Sequence, residues 1–167
     1  MSGLIDGLLQ LSRLSRQDVR RQKVDMSKIA EQVLTELREA DPDRSVAADI
    51  KEGVEAFADA ELLKSALANL LGNAWKFTSK TENARIAFGV YEEEGKAVYY
   101  VKDNGAGFDQ TYAERMFLPF QRLHTEQEFQ GTGIGLAPVE RVVRRHGGKI
   151  WAHGSVNEGA EFFFTLG

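Results

Sequence analysis

Leu63, Ala66, Leu67, Leu70, Leu71 and Ala74 recur at three- and four-residue spacing and predict an amphipathic helix over residues 60–78, with Asp59 as its N-cap. Ile29, Ala30, Val33, Leu34 and Leu37 predict a second helix over 27–40, stopped by Asp41-Pro42-Asp43. Leu4, Ile5, Leu8, Leu9, Leu11 and Leu14 predict a third over 2–22, whose apolar stripe needs a partner, either this domain or another helix. Short extended runs fall at 24–27, 46–50 and 54–57. Residues 84–91 and 97–102 predict a hairpin turning at 92–95, and 149–152 with 161–166 a second one turning near 157–159. Between the hairpins the pattern gives a short helix at 112–116, a long loop over 117–130, and a helix ending at His146 before Gly147-Gly148. Helix, strands, helix, hairpin, helix, hairpin is the order of an α+β fold. It predicts a two-layer α/β sandwich with a mixed, mostly antiparallel sheet and helices on one face, preceded by an N-terminal helix.

Composition narrows the classes. The chain has 167 residues, 43% of them hydrophobic, enough for one core with an appendage. The charged run Asp18-Val19-Arg20-Arg21-Gln22-Lys23 reads as a connector, dividing a helix and connector over 1–23 from a domain over 24–167. No apolar run reaches membrane-spanning length and no signal-peptide pattern opens the chain, so a cytoplasmic domain is expected. The absence of cysteine removes disulfides, thiolate metal sites and thiol nucleophiles. A net charge of -4 gives no electrostatic reason to expect nucleic acid. The three histidines, 124, 146 and 153, show no metal-ligand spacing.

The central helix carries an unusual polar row. Asn69, Asn73 and Lys76 stack along the face opposite the leucines. Asn is a mediocre helix former, so alanine would serve better if nothing polar were needed there. A solvated helix face is the bland explanation. Two glycine-rich turns change the balance. Gly131-Thr132-Gly133-Ile134-Gly135-Leu136 opens a helix, where backbone N–H groups make an anion site. It is neither the dinucleotide fingerprint nor a Walker motif. Asp103-Asn104-Gly105-Ala106-Gly107-Phe108 follows a strand end, where Asp103 either makes an Asx-turn or accepts a hydrogen bond from an exocyclic amine such as adenine's. A calcium loop is excluded because 105 and 107 are glycines where side-chain oxygens would be required. Together the parts can hold a base at Asp103, phosphates at 131–136, and a hard cation at Asn73, with Lys76 neutralising phosphate charge.

In this combination the chain resembles the catalytic ATP-binding domain of sensor histidine kinases. Asn69-Leu70-Leu71-Gly72-Asn73-Ala74-Trp75-Lys76-Phe77-Thr78 looks like their asparagine box. Asp103 to Gly107 looks like the first glycine box, Phe117-Leu118-Pro119-Phe120 the phenylalanine box, and Gly131 to Leu136 the second glycine box. Four motifs in order, over roughly 24–166, make the resemblance specific. Phe120-Gln121-Arg122-Leu123-His124 and Arg145-His146-Gly147-Gly148-Lys149-Ile150-Trp151 are similar to the phytochrome-like branch. The resemblance implies a Bergerat-type fold and the cofactors ATP and Mg²⁺. It implies that Asn73 ligates Mg²⁺ and that Asn69, Lys76 and Phe77 line the nucleotide. Asp103 would read the adenine amine, with Gly105 and Gly107 shaping its turn. Gly131, Thr132, Gly133, Gly135 and Leu136 would shape the phosphate side, and Arg122, in a lid over 117–131, would reach phosphate. Asn69, Lys76 and Arg122 are the residues implied in catalysis. Residues 2–22 look like the second helix of the dimerisation and phosphoacceptor hairpin.

The implied activity is transfer of the ATP γ-phosphoryl group to a histidine, within a homodimeric kinase that then serves a response regulator receiver domain. No histidine precedes His124, so the phosphoacceptor is expected to lie outside this chain, and the three histidines present are expected at the surface or as helix C-caps. Two departures stand out. Pro138 sits in the first turn of the last long helix, where its missing N–H is tolerated, and Glu161 stands where Thr or Ser is usual, which puts an adenine-side water contact in doubt. The alternatives are an ATP hydrolase of the topoisomerase, mismatch-repair and chaperone type, or a non-catalytic nucleotide-binding module. The hydrolases place a glutamate one turn before the metal-binding Asn to activate water. Here that position is Asn69, which cannot act as a base.

Overall fold

The structure is a computed structural model and describes residues 19–113, 115–118 and 136–167. Strand β1 (Gln22–Asp25) leads into helix α1 (Met26–Ala40), followed by β2 (Ala47–Ile50), β3 (Glu55–Ala58) and helix α2 (Ala60–Phe77). The hairpin β4 (Arg85–Glu93) and β5 (Lys96–Asp103) comes next, then two 3-10 turns, Gln110–Tyr112 and Arg115–Phe117. Helix α3 (Ala137–Arg145), β6 (Ile150–Ser155) and β7 (Gly159–Phe164) complete the chain. Five strands form one sheet in the order β2-β4-β5-β7-β6. Among the described residues, only the β2–β4 pair in it is parallel. β1 and β3 make a separate antiparallel ribbon.

Period-two alternation sorts the sheet into two faces. Ile86, Phe88, Val101, Phe162 and Phe164 join the core shared with α1, α2 and α3. The intervening residues carry a second, aromatic layer on the far face, where Trp151 stacks on Phe163 at 5.7 Å and Tyr91 meets it edge-on at 6.4 Å. The helices thus lie on one face, and the expected two-layer mixed sandwich is what forms. α2 is the centre of the helical layer. Its Leu63, Leu67, Leu70 and Leu71 are each at most 1% exposed, and burying one such side chain contributes about 1.5–3 kcal/mol.

Both large helices begin on an aspartate at a strand end. Asp25 accepts the Lys28 N–H, and Asp59 accepts those of Glu61 and Leu62. Several expected boundaries move. The first hairpin turns at Glu94-Gly95 alone, both at positive φ, so β4 runs to Glu93 instead of ending at 91. The expected short helix at 112–116 is two separate 3-10 turns. The N-terminal helix expected over 2–22 does not reach its end: residues 19–21 are not helical and Gln22 opens β1. The Arg20 N–H is committed to Asp59 Oδ2 at 3.0 Å and Gln22 pairs with Ala58, which leaves the backbone extended. The rest of that expected helix lies outside the described residues. Pro138 sits in the first turn of α3, as its missing N–H allows.

Candidate nucleotide site

α2 turns its leucines into the core, which forces Asn69, Asn73 and Lys76 into a row on its other side. That face is not wet. Asn69, Gly72, Asn73, Lys76 and Phe77 are all half-buried, and the last exposed residue of the helix is Ala68. Asn69 Nδ2 is buried with no hydrogen-bond partner, one of two such side-chain atoms among the described residues, with Arg145 Nη1. A buried amide donor left unpaired costs about 1–3 kcal/mol, and leaving it so in a helix where alanine would do points to a missing acceptor. The Lys76 ammonium lies 5.2 Å from the centre of the Phe77 ring.

The first glycine turn docks on the end of this helix. The Ala106 N–H donates to the Phe77 carbonyl at 3.0 Å, and a side chain at Gly105 would collide with that carbonyl oxygen. Gly107 has φ 64° and no room for a Cβ beside the Ser155 carbonyl. The two glycines therefore let the turn lie between α2 and the β6–β7 end, and this brings Asp103 to the Asn helix. Asp103 Oδ1 accepts the Gly105 N–H at 2.8 Å, so the Asx-turn forms and occupies one carboxyl oxygen. Burial raises the Asp103 pKa to about 6, against the backbone N–H groups of Gly105 and Ala160, which lower it. A buried carboxyl held there with no cation partner among the described residues is a strong acceptor for a neutral N–H donor.

The second glycine turn is seen only at its end. Leu136 caps α3 with no side-chain hydrogen bond to its first N–H groups, so those amides have no side-chain cap. Arg122, Gly131, Thr132, Gly133, Gly135 and His124 lie outside the described residues, as does the lid beyond Leu118. Among the described residues no three His, Cys, Asp or Glu side chains converge on one point. A divalent cation at α2 would rely on Asn73, phosphate and water, a donor set that suits Mg²⁺.

Two residues escape the sequence pattern. Arg44 follows the Asp41-Pro42-Asp43 stop and reaches the C-terminal end of α2. Its guanidinium donates to the Trp75 carbonyl and to Thr78 Oγ1, and lies 4.7 Å from the Trp75 ring centre. No local signal marks this contact, since the partners are 31 and 34 residues apart. His146 was expected at the surface or as a C-cap. It is the C-cap of α3 but is fully buried. Glu161 pairs with Lys102 at 3.6 Å on the far face of the sheet, so Ala160, not Glu161, stands opposite Asp103 in the β5–β7 ladder.

This architecture is the Bergerat-type α+β sandwich of ATP-binding domains. The family of histidine kinase-, DNA gyrase B-, and HSP90-like ATPases matches residues 58–167. Cyanobacterial phytochrome A of Nostoc sp. is 35% identical over 168 residues, covering 99% of this chain and 22% of that protein. Full-length ShkA in complex with AMPPNP has a TM-score of 0.76 at 28% identity, covering 98% of this chain and 35% of that one. Histidine kinase ThkA in complex with the response regulator TrrA shares the fold, with a TM-score of 0.76 at 21% identity over 99% of this chain and 47% of that one. The chain belongs to the histidine kinase-, DNA gyrase B-, and HSP90-like ATPase family, and within it resembles histidine kinases. It spans about a fifth of the length of the phytochrome relative.

Proposed function

We propose that this chain is the ATP-binding catalytic domain of a sensor histidine kinase, passing the γ-phosphoryl group of ATP to a histidine on a dimerisation helix. The domain would occupy residues 24–167, with 1–23 belonging to the dimerisation hairpin and connector. Asp103 would accept the adenine amine, Asn69 would donate its orphaned amide to phosphate, and Lys76 would neutralise phosphate charge. Phe77, Gly105, Gly107 and Leu136 would shape the cleft around the nucleotide, with Gly131, Thr132, Gly133 and Gly135 on the phosphate side and Arg122 in catalysis. Mg²⁺ would be held by the Asn73 oxygen, and when bound it supplies charge neutralisation between the phosphates. The residues of this chain otherwise act by positioning, which is the larger part of phosphoryl-transfer catalysis.

The observation that carries this reading is the unpaired buried Asn69 amide, one helical turn before Asn73 on the helix whose C-terminal end receives the Asp103 turn. The same residue disfavours the hydrolase alternative, because a carboxamide cannot take a proton from water. A homodimer and a response regulator receiver domain are the partners this reading brings, the latter by likeness to the ThkA–TrrA complex. Among the described residues no helix is long and apolar enough to cross a membrane, and a cytoplasmic setting belongs to the same reading. Calorimetric titration with Mg²⁺-ATP and Mg²⁺-GTP tests it. ATP should bind at least tenfold more tightly, because guanine offers a carbonyl where adenine offers an amine. Equal affinity would overturn the assignment of Asp103.

A further inference from the structure

The charged connector and the buried histidine meet at the start of α2. His146 is 0% exposed. Its Nδ1 lies 2.8 Å from the Val142 carbonyl, and its Nε2 lies 3.0 Å from the backbone N of Asp59. A backbone N–H can only donate and a carbonyl can only accept. The ring is thereby fixed as the neutral tautomer with its proton on Nδ1. Asp59 is the N-cap of α2, and its carboxylate accepts from Glu61 and Leu62 at 3.1 Å each. The same carboxylate accepts the Arg20 N–H at 3.0 Å, while Arg21 Nη2 donates to the His146 carbonyl at 2.7 Å. Burial works against the Asp59 charge, but the N–H groups of Arg20, Leu62 and Glu61 outweigh it and hold its pKa below the usual carboxylate range. Val19, just before, packs against the core.

Three segments far apart in sequence are thus tied at one point: the connector, the first turn of the Asn helix, and the last turn of α3. We propose that His146 and Asp59 are positioning residues. In this role they clasp the connector at Arg20-Arg21 to the start of α2, so that the connector's hold sets the order of the helix that presents Asn69 and Asn73. The affinity part of this proposal rests on the nucleotide-binding reading; the clasp itself does not. Loosening the clasp frees the α2 N-terminus, ten residues ahead of Asn69, without touching the polar row.

Amide hydrogen exchange and imidazole ¹⁵N shifts of the full chain test the clasp, with Mg²⁺-ADP as the ligand probe. The wild type should show a protected Asp59 amide and a ring bearing its proton on Nδ1. Arg21→Ala, at an exposed site where folding is not at risk, should raise exchange at Asp59 and Leu62 severalfold and weaken Mg²⁺-ADP about threefold or more. His146→Ala should do so more strongly, and His146→Gln, whose side-chain oxygen can accept the Asp59 N–H, should recover most of the loss. Unchanged protection in β4 and β5 certifies that each variant is folded. An unprotected Asp59 amide in the wild type, a proton on Nε2, or no change at Asp59 in Arg21→Ala overturns the clasp. Altered exchange with unaltered Mg²⁺-ADP affinity overturns the coupling to the site. A wild type that binds no Mg²⁺-ADP counts against the nucleotide reading and removes the coupling with it, while exchange still decides the clasp.

Discussion

Helices α1 and α2 start alike and end differently. Each follows a strand, each is capped by an aspartate, and each buries one apolar stripe in the same core. On α1 the opposite face is wet: Lys28, Glu31, Gln32, Thr35, Glu36, Arg38 and Glu39 are all exposed. On α2 the corresponding face is half-buried from Asn69 onward and includes a buried amide with no partner. The polar face of α1 is there for water. That of α2 is half-enclosed, and the glycine turn at Asp103 lies against its end. Two helices with the same pattern of apolar residues therefore differ in what surrounds their polar residues.

The apolar stripes should not distinguish the helices. Leu34→Ala on α1 and Leu67→Ala on α2, both buried, should each lose roughly 2–5 kcal/mol in urea denaturation. A loss confined to α2 would mean that α1 is peripheral to the core.

The Asp103 turn sharpens the contrast through pH. Its folded-state pKa of about 6 lies above the value of about 3.9 in an unfolded chain. Between those values the folded protein keeps a proton that the unfolded chain has released. This group's contribution to stability is therefore greatest below the lower value and falls as pH rises through the window, by roughly 3 kcal/mol in all. Asp103→Asn should flatten that slope and raise stability near pH 8, while weakening ATP tenfold or more. Nucleotide affinity of the wild type should decline below pH 6, as the carboxylate becomes protonated.

The polar rows provide the smallest effects and the cleanest comparison. Asn69→Ala should gain about 1 kcal/mol, since an orphaned donor is removed and helix propensity improves, yet it should lose nucleotide affinity. Gln32→Ala on α1 should shift stability by no more than about 0.5 kcal/mol and leave nucleotide binding unchanged. Thermal unfolding with and without Mg²⁺-ATP reads both quantities.

How much of this was legible follows the same division. Helix stripes, aspartate caps and strand alternation are local, and they place α1, α2 and the two hairpins to within a few residues. The four motifs point to the nucleotide family because their residue types are chemically odd where they stand: Asn in a helix, glycines at its neighbours. What could not be read is long-range. Arg44 on the end of α2, and His146 on the start of it, are unremarkable in their own segments and acquire a role only when residues 31 and 87 positions apart meet. The 3-10 turns Gln110–Tyr112 and Arg115–Phe117 have too short a period to separate from a helix by pattern alone.

The central claim is that the polar face of α2 holds a nucleotide through a metal. Titration of a fluorescent ATP analogue against wild type and Asn73→Ala, each with and without Mg²⁺, tests it most directly. The wild type should bind about 100-fold more tightly with Mg²⁺ than the variant does, and the two should converge when Mg²⁺ is chelated. Equal binding by both proteins in the presence of Mg²⁺ would contradict the claim and return Asn73 to the same standing as the wet face of α1.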